Sequence, residues 1–438
     1  MIPGDIPLPI VLAWLFVIGS IVGSFLNVCI YRIPQHDSLW QQLRGLNHPP
    51  SSCPWCKKRI LATDNIPIFG WLKLRGRCRF CRHSIPIRYA LIELFNGLLW
   101  VVLYVAIVPA GYSAKIQTST LFTSLGALGQ PHLSPSALVW LVNAQYLYFL
   151  IMAEALLVAT FIDFDLMIIP EAVTTPATIT GVIGGFILGA PSLWPAWFFS
   201  RQELSGIEPV LPNWLHWMPQ LPEQLPWLIA HPHWHGLISS LLGLLVGGGT
   251  VWIVRVVGNW VFQREAMGDG DIYLMAMIGS FLGWQPSLVV FFLVAPLCAL
   301  VATAATFTLQ FSRPIPFGPY LSAGALLVVL FWNPWFSKFE TFFSRGPLLP
   351  IVFLLMSMMF VPLLLFVRFI KYRLGFRDVD DSDEFGDWTS GDQLTFYANK
   401  EERAIRSNLD SPIWPGIPAG QGTLHADRWR GTRSSGYP

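Results

Sequence analysis

Apolar stretches long enough to cross a lipid bilayer recur along this chain, and they constrain its fold more than any other feature. A helix of roughly 18–25 apolar residues spans a hydrocarbon core of about 30 Å. We place such spans near residues 9–30, 88–108, 140–162, 172–190, 236–257, 271–284, 287–309, 318–333 and 347–370. The stretch 271–284 is short and would need help from its neighbours to cross. The sequence therefore predicts an all-α polytopic membrane protein with about eight to nine transmembrane helices.

The composition agrees with this class. Apolar residues make up 53% of the chain and charged residues only 12%, about half the charged fraction of soluble domains. We therefore expect the lipid bilayer to be a main partner, and we expect no nucleic-acid partner. The first apolar run has no basic segment before it and a second span after it. We interpret it as a transmembrane helix rather than a cleaved signal peptide.

The lysines and arginines predict the orientation. With the N-terminus outside, the connections that face the cytoplasm carry 21 of the 28 Lys and Arg residues, and the outer connections carry 4. Without the long tail, the cytoplasmic connections still carry 12 Lys and Arg residues and the outer connections 4. Because cytoplasmic loops are enriched in basic residues, the sequence predicts an outside N-terminus and a cytoplasmic C-terminal tail.

The same division gives the expected domains. A first transmembrane helix (1–30) precedes a cytoplasmic cysteine loop (31–87), and a membrane core follows at 88–333 with an outer-loop insertion at 191–235. An additional C-terminal membrane helix is expected at 334–370. The last part, 371–438, is polar and rich in Gly, Ser, Pro and Arg, so we predict a disordered cytoplasmic tail.

Two Cys-x-x-Cys pairs in the cytoplasmic loop predict a metal site. Cys53 and Cys56 are followed 21 residues later by Cys78 and Cys81, a spacing that lets four thiolates bind one tetrahedral zinc ion. The cytosol keeps thiols reduced, which argues against disulfides. A structural Zn²⁺ knuckle is the favoured interpretation, with a redox or empty site as the alternative. Four thiolates leave no open position for a catalytic zinc.

Three histidines form a weaker candidate metal site. His231, His233 and His235 alternate in HPHWH, just before a span on the outer side. An extended backbone would point them to one side, but no carboxylate or cysteine completes the set. We favour an interfacial cluster of His and Trp. We interpret Cys29 and Cys298, which lie in predicted spans, as small buried apolar residues.

Acidic residues inside or at the ends of spans are functional candidates, because a charge in the bilayer is costly. They are Glu93, Glu154, Asp163, Asp165, Glu171, Asp269 and Asp271. In the predicted topology Asp163 ends the third span and Asp271 begins the sixth, so both lie at the cytoplasmic face.

Two carboxylates that meet in a low-dielectric site share a proton and can activate water against an amide. Solvated interfacial acids remain an alternative, and a proton-coupled transporter also pairs acids. The pairing alone does not separate an enzyme from a carrier.

Six blocks of the chain, in the same order, resemble the prepilin leader peptidases of type IV pilus and type II secretion systems. They comprise an opening helix, the cysteine loop, a second helix, two acidic segments and a later signature, all between residues 19 and 332. Their sequences are GSIVGSFLNVCIYRIP, CPWCKKRILATDNIPIFGWLKLRGRCRFC, IPIRYALIELFNG, FIDFDLMIIPE, REAMGDGD and RPIPFGPYLSAGALL. Six blocks in one order are not expected by chance.

The resemblance implies a bifunctional enzyme of the cell inner membrane, a GxGD-type aspartic endopeptidase. It would cleave the short basic leader of a prepilin or pseudopilin at the cytoplasmic face, and then N-methylate the new N-terminus with S-adenosylmethionine. The family's catalytic acids fall on Asp163 and Asp271, and its zinc ligands fall on the four loop cysteines. Methyl transfer rests on the resemblance alone. The glycines of GVIGGF and LVGGGT lack a strand–GxGxxG–helix context, and we interpret them as helix-packing residues.

The sequence departs from the family pattern near the second acid. Asp269 stands where the family has an aromatic residue, and Tyr273 stands where it has lysine. Glu171 replaces the family's aspartate after the proline. The first two changes add an acid and remove a base within one helical turn. We therefore keep a catalytically altered member, or a transporter that reuses the fold, as alternative functions.

Overall fold

The computed structural model describes residues 7–35, 39–46, 51–108, 135–189, 225–262, 268–309 and 316–332 except Pro54, with isolated positions within 193–216 and 362–366. Over these ranges the regular structure is helical, and β-pairing is limited to two isolated bridges. The expected span at 347–370 (apart from three positions) and the tail 371–438 lie outside the described residues.

The helices differ widely in length. They are α1 (Leu8–Arg32), α2 (Leu39–Gly45), α3 (Phe69–Lys73), α4 (Arg88–Ile107), α5 (Pro135–Leu166), α6 (Glu171–Leu188), α7 (Pro226–Ala230), α8 (Pro232–Phe262), α9 (Asp269–Leu282), α10 (Trp284–Val289), α11 (Ala295–Leu309) and α12 (Gly318–Phe331). A π-helical turn, Val290–Val294, joins α10 to α11. Proline occupies the first turn of α1, α7 and α12, where its missing N–H has no intrahelical partner to lose.

Within the described ranges, six helical segments are long and apolar enough to cross a membrane. They are Leu8–Gln35, Arg88–Ile107, Val139–Leu166, Glu171–Leu188, Pro232–Trp260 and Trp284–Thr303. These six agree with spans expected from the sequence. The expected spans at 271–284 and 318–333 are the 14-residue helices α9 and α12. A total of eight to nine spans therefore stays a prediction.

The chain divides into two compact units. The first draws its described residues from Met1–Leu103 and Leu157–Val173, and the second from Tyr104–Leu156 and Thr174–Asp380. The first unit thus contains the cysteine loop and the last turns of α5. The second contains α8, α9 and the helices that follow them.

In the first unit, α1 packs against the first turns of α4 through small residues. A Cβ atom on Gly23 would lie 2.9 Å from the Cα of Glu93, so only glycine fits at this approach. The buried Asn96 amide donates a hydrogen bond of 2.9 Å to the carbonyl of Gly19, and Asn27 donates one of 3.1 Å to the carbonyl of Tyr89. Close backbones joined by buried amides are a typical way of holding membrane helices together.

In the second unit, glycines bring α8 into backbone contact with α9. A Cβ atom on Gly243 would collide with the carbonyl of Gly279, and one on Gly247 would lie 2.5 Å from the carbonyl of Met275. The glycines of GVIGGF in α6 have similar neighbours, namely Ser280, Tyr148 and Ser240. The interpretation of both glycine groups as helix-packing residues is confirmed, except at Gly249, where a Cβ atom would meet nothing within 4 Å.

Helix α9 is an internal element. Its 14 residues extend about 21 Å, less than the thickness of a hydrocarbon core. Its second half is mostly buried, and Met275, Ile278 and Phe281 are each 0% exposed. The helix ends at Gly283, whose φ of 87° lies in the left-handed region that favours glycine, and α10 begins at the next residue.

The glycine contact between α8 and α9 gives a testable expectation. We expect Gly243→Ala to lower the free energy of unfolding by about 3 kcal/mol, because the added methyl group forces two backbones apart. Gly249→Ala is the matched control. It adds the same methyl group where nothing lies within 4 Å, so it should be neutral or stabilise the helix by about 0.5–1 kcal/mol. Thermal unfolding in detergent would compare them, and equal melting temperatures would contradict the close contact.

Candidate active site and cysteine cluster

The two Cys-x-x-Cys pairs form turns of the same kind. In the first, the N–H of Cys53 donates to the carbonyl of Lys58 at 3.0 Å, and the N–H of Lys57 donates to the carbonyl of Cys53 at 2.9 Å. The pair Cys78 and Cys81 repeats both bonds at the same spacing, at 2.8 and 3.0 Å. One isolated β-bridge closes each turn. The repeated geometry points both pairs of sulfur atoms to one centre.

The four sulfur atoms fit a tetrahedral metal ion. Those of Cys53, Cys56, Cys78 and Cys81 all lie within 4.8 Å of one another, and the Sγ atoms of Cys53 and Cys81 are 3.8 Å apart. Zn–S bonds of about 2.3 Å in a tetrahedron place the sulfur atoms about 3.8 Å apart, whereas a disulfide requires about 2.05 Å. Burial raises the pKa of the Cys53 thiol to about 12. The donor set and spacing fit a structural zinc ion.

A buried carboxylate fixes the second cysteine turn to the rest of the loop. The side chain of Asp64 is only 3% exposed. It accepts a hydrogen bond of 2.6 Å from Nε of Arg79, which lies between Cys78 and Cys81, and a second from the same guanidinium. These hydrogen bonds hold the pKa of Asp64 below its usual range, so the group stays ionised at neutral pH. Such supporting contacts orient metal ligands.

The loop is also tied to the membrane helix that follows it. The carboxylate of Glu93, on α4, accepts the backbone N–H of Ile68 at 2.7 Å. Ile68 has a φ of 61°, which is strained for a β-branched residue. The indole of Trp71 donates to the carbonyl of Ile85 at 2.9 Å, just before α4 begins. The acid Glu93, a functional candidate from the sequence, therefore has a structural partner within the first unit.

The first candidate catalytic acid, Asp163, lies in the last turn of α5. It is buried, with 4% exposure. Its carbonyl accepts the N–H of Met167 at 2.9 Å, and Met167 ends the helix with a φ of 54°. The buried carboxyl therefore sits on a turn whose backbone is held in place, which suits a group that must be positioned for chemistry.

An arginine of a different helix, α4, holds the same turn of α5. The guanidinium of Arg88, the first residue of α4, donates two hydrogen bonds to Asp165, at 2.6 and 2.7 Å. It also donates to the carbonyl of Phe161 at 3.4 Å and lies 5.0 Å above the Phe161 ring. These contacts bracket Asp163 by two residues on either side. They join the start of α4 to the end of α5 in the first unit.

This bracket gives a second expectation. Asp165→Asn should lower the free energy of unfolding by about 1 kcal/mol, since the pair is partly exposed, with side-chain exposures of 24% and 27%. It should also slow severalfold the leader cleavage that the resemblance implies, because the turn that carries Asp163 loosens. Arg88→Lys should be impaired almost as much as Asp165→Asn, since an ammonium cannot form the two parallel hydrogen bonds. Unchanged melting and cleavage in Asp165→Asn would contradict the bracket.

The second candidate acid, Asp271, lies in the first turn of α9. Its side chain is half-buried, and Gly268 precedes the helix in an extended conformation. The positive end of the helix dipole favours negative charge at this position. Asp163 belongs to the first unit and Asp271 to the second.

The two departures from the family pattern lie on the exposed side of the same turn. Asp269 forms an ion pair with Arg255 of α8 and is 67% exposed. Tyr273 is 49% exposed. Arg255 therefore offsets the charge that Asp269 adds to this turn.

The remaining candidates do not form a second metal site in the described ranges, where the four cysteines are the only group of three or more potential ligands brought together. His231 and His233 bond separately to the carbonyls of Trp227 and Phe186, and the buried His235 accepts the N–H of Ala196 at 3.1 Å. The rings of Trp227 and His231 stack at 5.2 Å. Glu154 is half-buried on α5, and Glu171 is exposed at the first residue of α6.

Comparison with known proteins decides the family. Residues 17–107 match the bacterial peptidase A24 N-terminal domain, and residues 210–304 match the type IV leader peptidase family. A prepilin leader peptidase/N-methyltransferase of Pectobacterium carotovorum subsp. carotovorum is 30% identical over 337 residues, which cover 72% of this chain and 92% of that protein. The chain belongs to the type IV leader peptidase family.

Other members of this family are similarly distant. A prepilin leader peptidase/N-methyltransferase of Aeromonas hydrophila is 28% identical over 334 residues, covering 72% of this chain and 89% of the relative. A type 4 prepilin-like proteins leader peptide-processing enzyme of Escherichia coli O78:H11 is 28% identical over 324 residues, covering 71% and 90%. No solved structure matches the chain significantly. The matched family regions contain the four cysteines and Asp271, whereas Asp163 lies between them.

Sequence reasoning missed two arginines near the acids. From the sequence alone Arg88 and Arg255 had no assigned partner, whereas in the structure they pair with Asp165 and Asp269. The available signal was the arginines themselves, because a cation within a span needs an acidic partner. The partner of Arg88 lies 77 residues away, and no spacing rule identifies a partner at that distance.

Proposed function

We propose that this chain is a membrane aspartic endopeptidase that removes the leader peptide of type IV prepilins or type II secretion pseudopilins. The observation that carries the proposal is the 30% identity that extends over 92% of the Pectobacterium relative, a protein named for this activity. The six apolar helical segments support a multi-pass enzyme of the bilayer. The family resemblance implies the inner membrane, and the distribution of basic residues favours an outside N-terminus and a cytoplasmic tail.

Asp163 and Asp271 are the proposed catalytic pair. One carboxylate accepts a proton from a water molecule as the oxygen attacks the scissile carbonyl carbon. The other, protonated, donates a hydrogen bond to the carbonyl oxygen on which charge develops. Two neighbouring carboxyls hold one proton between them because they cannot both ionise at little cost. The positions support these roles: Asp163 is buried on a bracketed turn, and Asp271 lies in the first turn of a helix whose second half is mostly buried.

The four cysteines would hold a structural Zn²⁺ ion. When bound, the ion supplies no chemistry to peptide cleavage, because four thiolates fill its coordination sphere. The effect of the ion would be structural, through residues of the loop. With the two cysteine turns fixed, the bonds from Ile68 to Glu93 and from Trp71 to Ile85 hold the loop in a defined position at the start of α4.

The test of the proposed cleavage is co-expression with a prepilin. We expect the leader to be removed just before the hydrophobic N-terminal helix of the substrate, with a shorter product on gels and the new N-terminus confirmed by mass spectrometry. A prepilin that stays full length in the presence of well-expressed enzyme would contradict the proposal. Proton uptake into vesicles without cleavage would instead favour the transporter alternative.

N-methylation of the new N-terminus by S-adenosylmethionine is the second proposed activity, and its support is the relatives' names. The expected result is a mature pilin whose N-terminal residue is heavier by one methyl group. Mass spectrometry of the processed pilin measures this directly. A cleaved but unmethylated product would restrict the function of this chain to proteolysis.

A further inference from the structure

The tips of the two cysteine turns form one surface. The rings of Trp55 in the first turn and His83 in the second lie 4.1 Å apart. The Lys58 ammonium of the first lies 4.9 Å from the centre of the Phe80 ring of the second. Each turn also places a cation after its second cysteine. We call this surface the knuckle face, made of residues Trp55, Lys57, Lys58, Phe80, Arg82 and His83.

The knuckle face combines exposed aromatic rings with exposed positive charge. All six side chains are exposed, with Trp55 at 51% and Phe80 at 45%. Adjoining exposed aromatic rings mark an interaction surface rather than ordinary solvent-facing chain. Aromatic rings beside cations are the combination found where proteins contact the headgroup layer of a membrane.

The backbone shows that the cations are not there for the turn itself. Lys57 has a φ of 58° and Arg82 a φ of 60°. This left-handed region carries a steric penalty for every residue with a Cβ atom and none for glycine. Formation of the turn alone therefore favours glycine at both positions. Backbone strain of this kind persists mainly at positions where the side chain has a functional role.

The position of the loop limits what the knuckle face can meet. The loop begins after the span Leu8–Gln35 and ends where Arg88–Ile107 begins, so both of its ends are fixed at the same membrane surface. Residues 31–87 contain ten Lys and Arg but only two acids, Asp37 and Asp64. Asp64 is already paired with Arg79 and Lys73. The loop thus holds a large excess of positive charge within reach of the lipid.

We propose that the knuckle face binds the anionic phospholipid headgroups of the membrane in which the chain is embedded. Trp55 and Phe80 enter the headgroup layer, and Lys57, Lys58 and Arg82 contact lipid phosphates. The cysteine loop then lies on the bilayer surface instead of extending into the cytosol. This binding is separate from peptide cleavage and does not depend on the proposed catalytic acids.

The test measures how far the membrane protects the side chains of Trp55 and Phe80 from oxidation in the full-length protein. The chain is placed in nanodiscs of phosphatidylcholine alone or with about 30% phosphatidylglycerol, and side-chain oxidation by hydroxyl radicals is read by mass spectrometry. We expect oxidation of both rings to be at least about fivefold slower in the anionic nanodiscs, since each cation near an anionic surface contributes about that factor. High salt should remove the difference, because it screens exposed charges.

The double variant Lys57→Gly with Arg82→Gly separates lipid binding from folding. Glycine suits both left-handed positions, so the turns and the zinc content should be kept while the protection is lost. Lys57→Arg with Arg82→Lys keeps both positive charges. It is the matched control, and its aromatic rings should stay protected from oxidation in the anionic nanodiscs. Equal oxidation in both lipids, or protection that survives in the glycine variant, would overturn the proposal.

The acidic stretch at the start of the tail is the other occupant to exclude. It contains Asp378, Asp380, Asp381, Asp383 and Glu384. Protection that is equal in both kinds of nanodisc, and that disappears when residues 375–438 are deleted, would show that the tail covers the knuckle face. That result would also overturn the lipid proposal.

Discussion

Asp271→Asn is expected to slow leader cleavage by about 1,000-fold or more, and Asp163→Asn should do the same. An amide cannot accept the proton of the attacking water, and general acid–base catalysis contributes about 10²–10⁴-fold. Because the two carboxyls would act as one unit, the double variant should be hardly slower than either single variant. Time courses with purified enzyme and a prepilin substrate measure all three rates.

Asp269→Asn is the matched control for this experiment. It makes the same chemical change two residues away, and it removes the ion pair with Arg255 at a side chain that is 67% exposed. Cleavage should stay within about threefold of the unchanged enzyme. Loss of activity in Asp269→Asn together with normal activity in Asp271→Asn would exchange the roles of the two aspartates. Normal cleavage by Asp163→Asn would end the two-acid mechanism.

Cys78→Ser is expected to lower the zinc content of the purified protein from about one ion per chain to almost none. Structural zinc sites bind with apparent free energies of about 10–16 kcal/mol at neutral pH, and this energy is available only when all ligands are present. The loop should then lose its fixed turns, and trypsin should cut it readily at its many basic residues. Elemental analysis of the purified protein and limited proteolysis measure the two effects.

Cys298→Ser is the comparison for the zinc experiment. Cys298 lies in α11, far along the chain from the four clustered sulfur atoms, so zinc content and proteolysis should not change. Full zinc content in Cys78→Ser would contradict a four-cysteine site. If Cys78→Ser loses zinc but still cleaves prepilin, the ion supports the loop and not the acids.

Much of this molecule could be predicted from its sequence because the relevant signals are local. The length of an apolar run can be read directly from the sequence, and six of the expected spans are present as long apolar helices. A Cys-x-x-Cys pair is one turn, so two such pairs predicted the sulfur cluster of Cys53, Cys56, Cys78 and Cys81. The glycine groups also indicated close packing, although the sequence could not say that Gly243 faces Gly279.

Contacts between distant residues could not be predicted in this way. The bracket of Arg88 around Asp163, the pairing of Arg255 with Asp269, and the bond from Ile68 to Glu93 join residues on different elements. Each depends on which helix faces point toward each other, and helical periodicity fixes only the faces of a single helix. The consequence is largest at Asp269, whose extra charge is offset by a partner that its neighbours in sequence do not reveal.

The sequence by itself determined the membrane class, the family blocks, the two cysteine pairs that cluster and the two acids proposed for catalysis. Each of these depends on residue type and short spacing. Only the tertiary structure decided that α9 is a short helix buried mainly in its second half, that Asp163 lies on a turn held by Arg88, and that the tips of the two cysteine turns share one exposed face. The physical reason is that burial, ion pairing and a common surface arise when separate segments pack together, and no single segment contains that information.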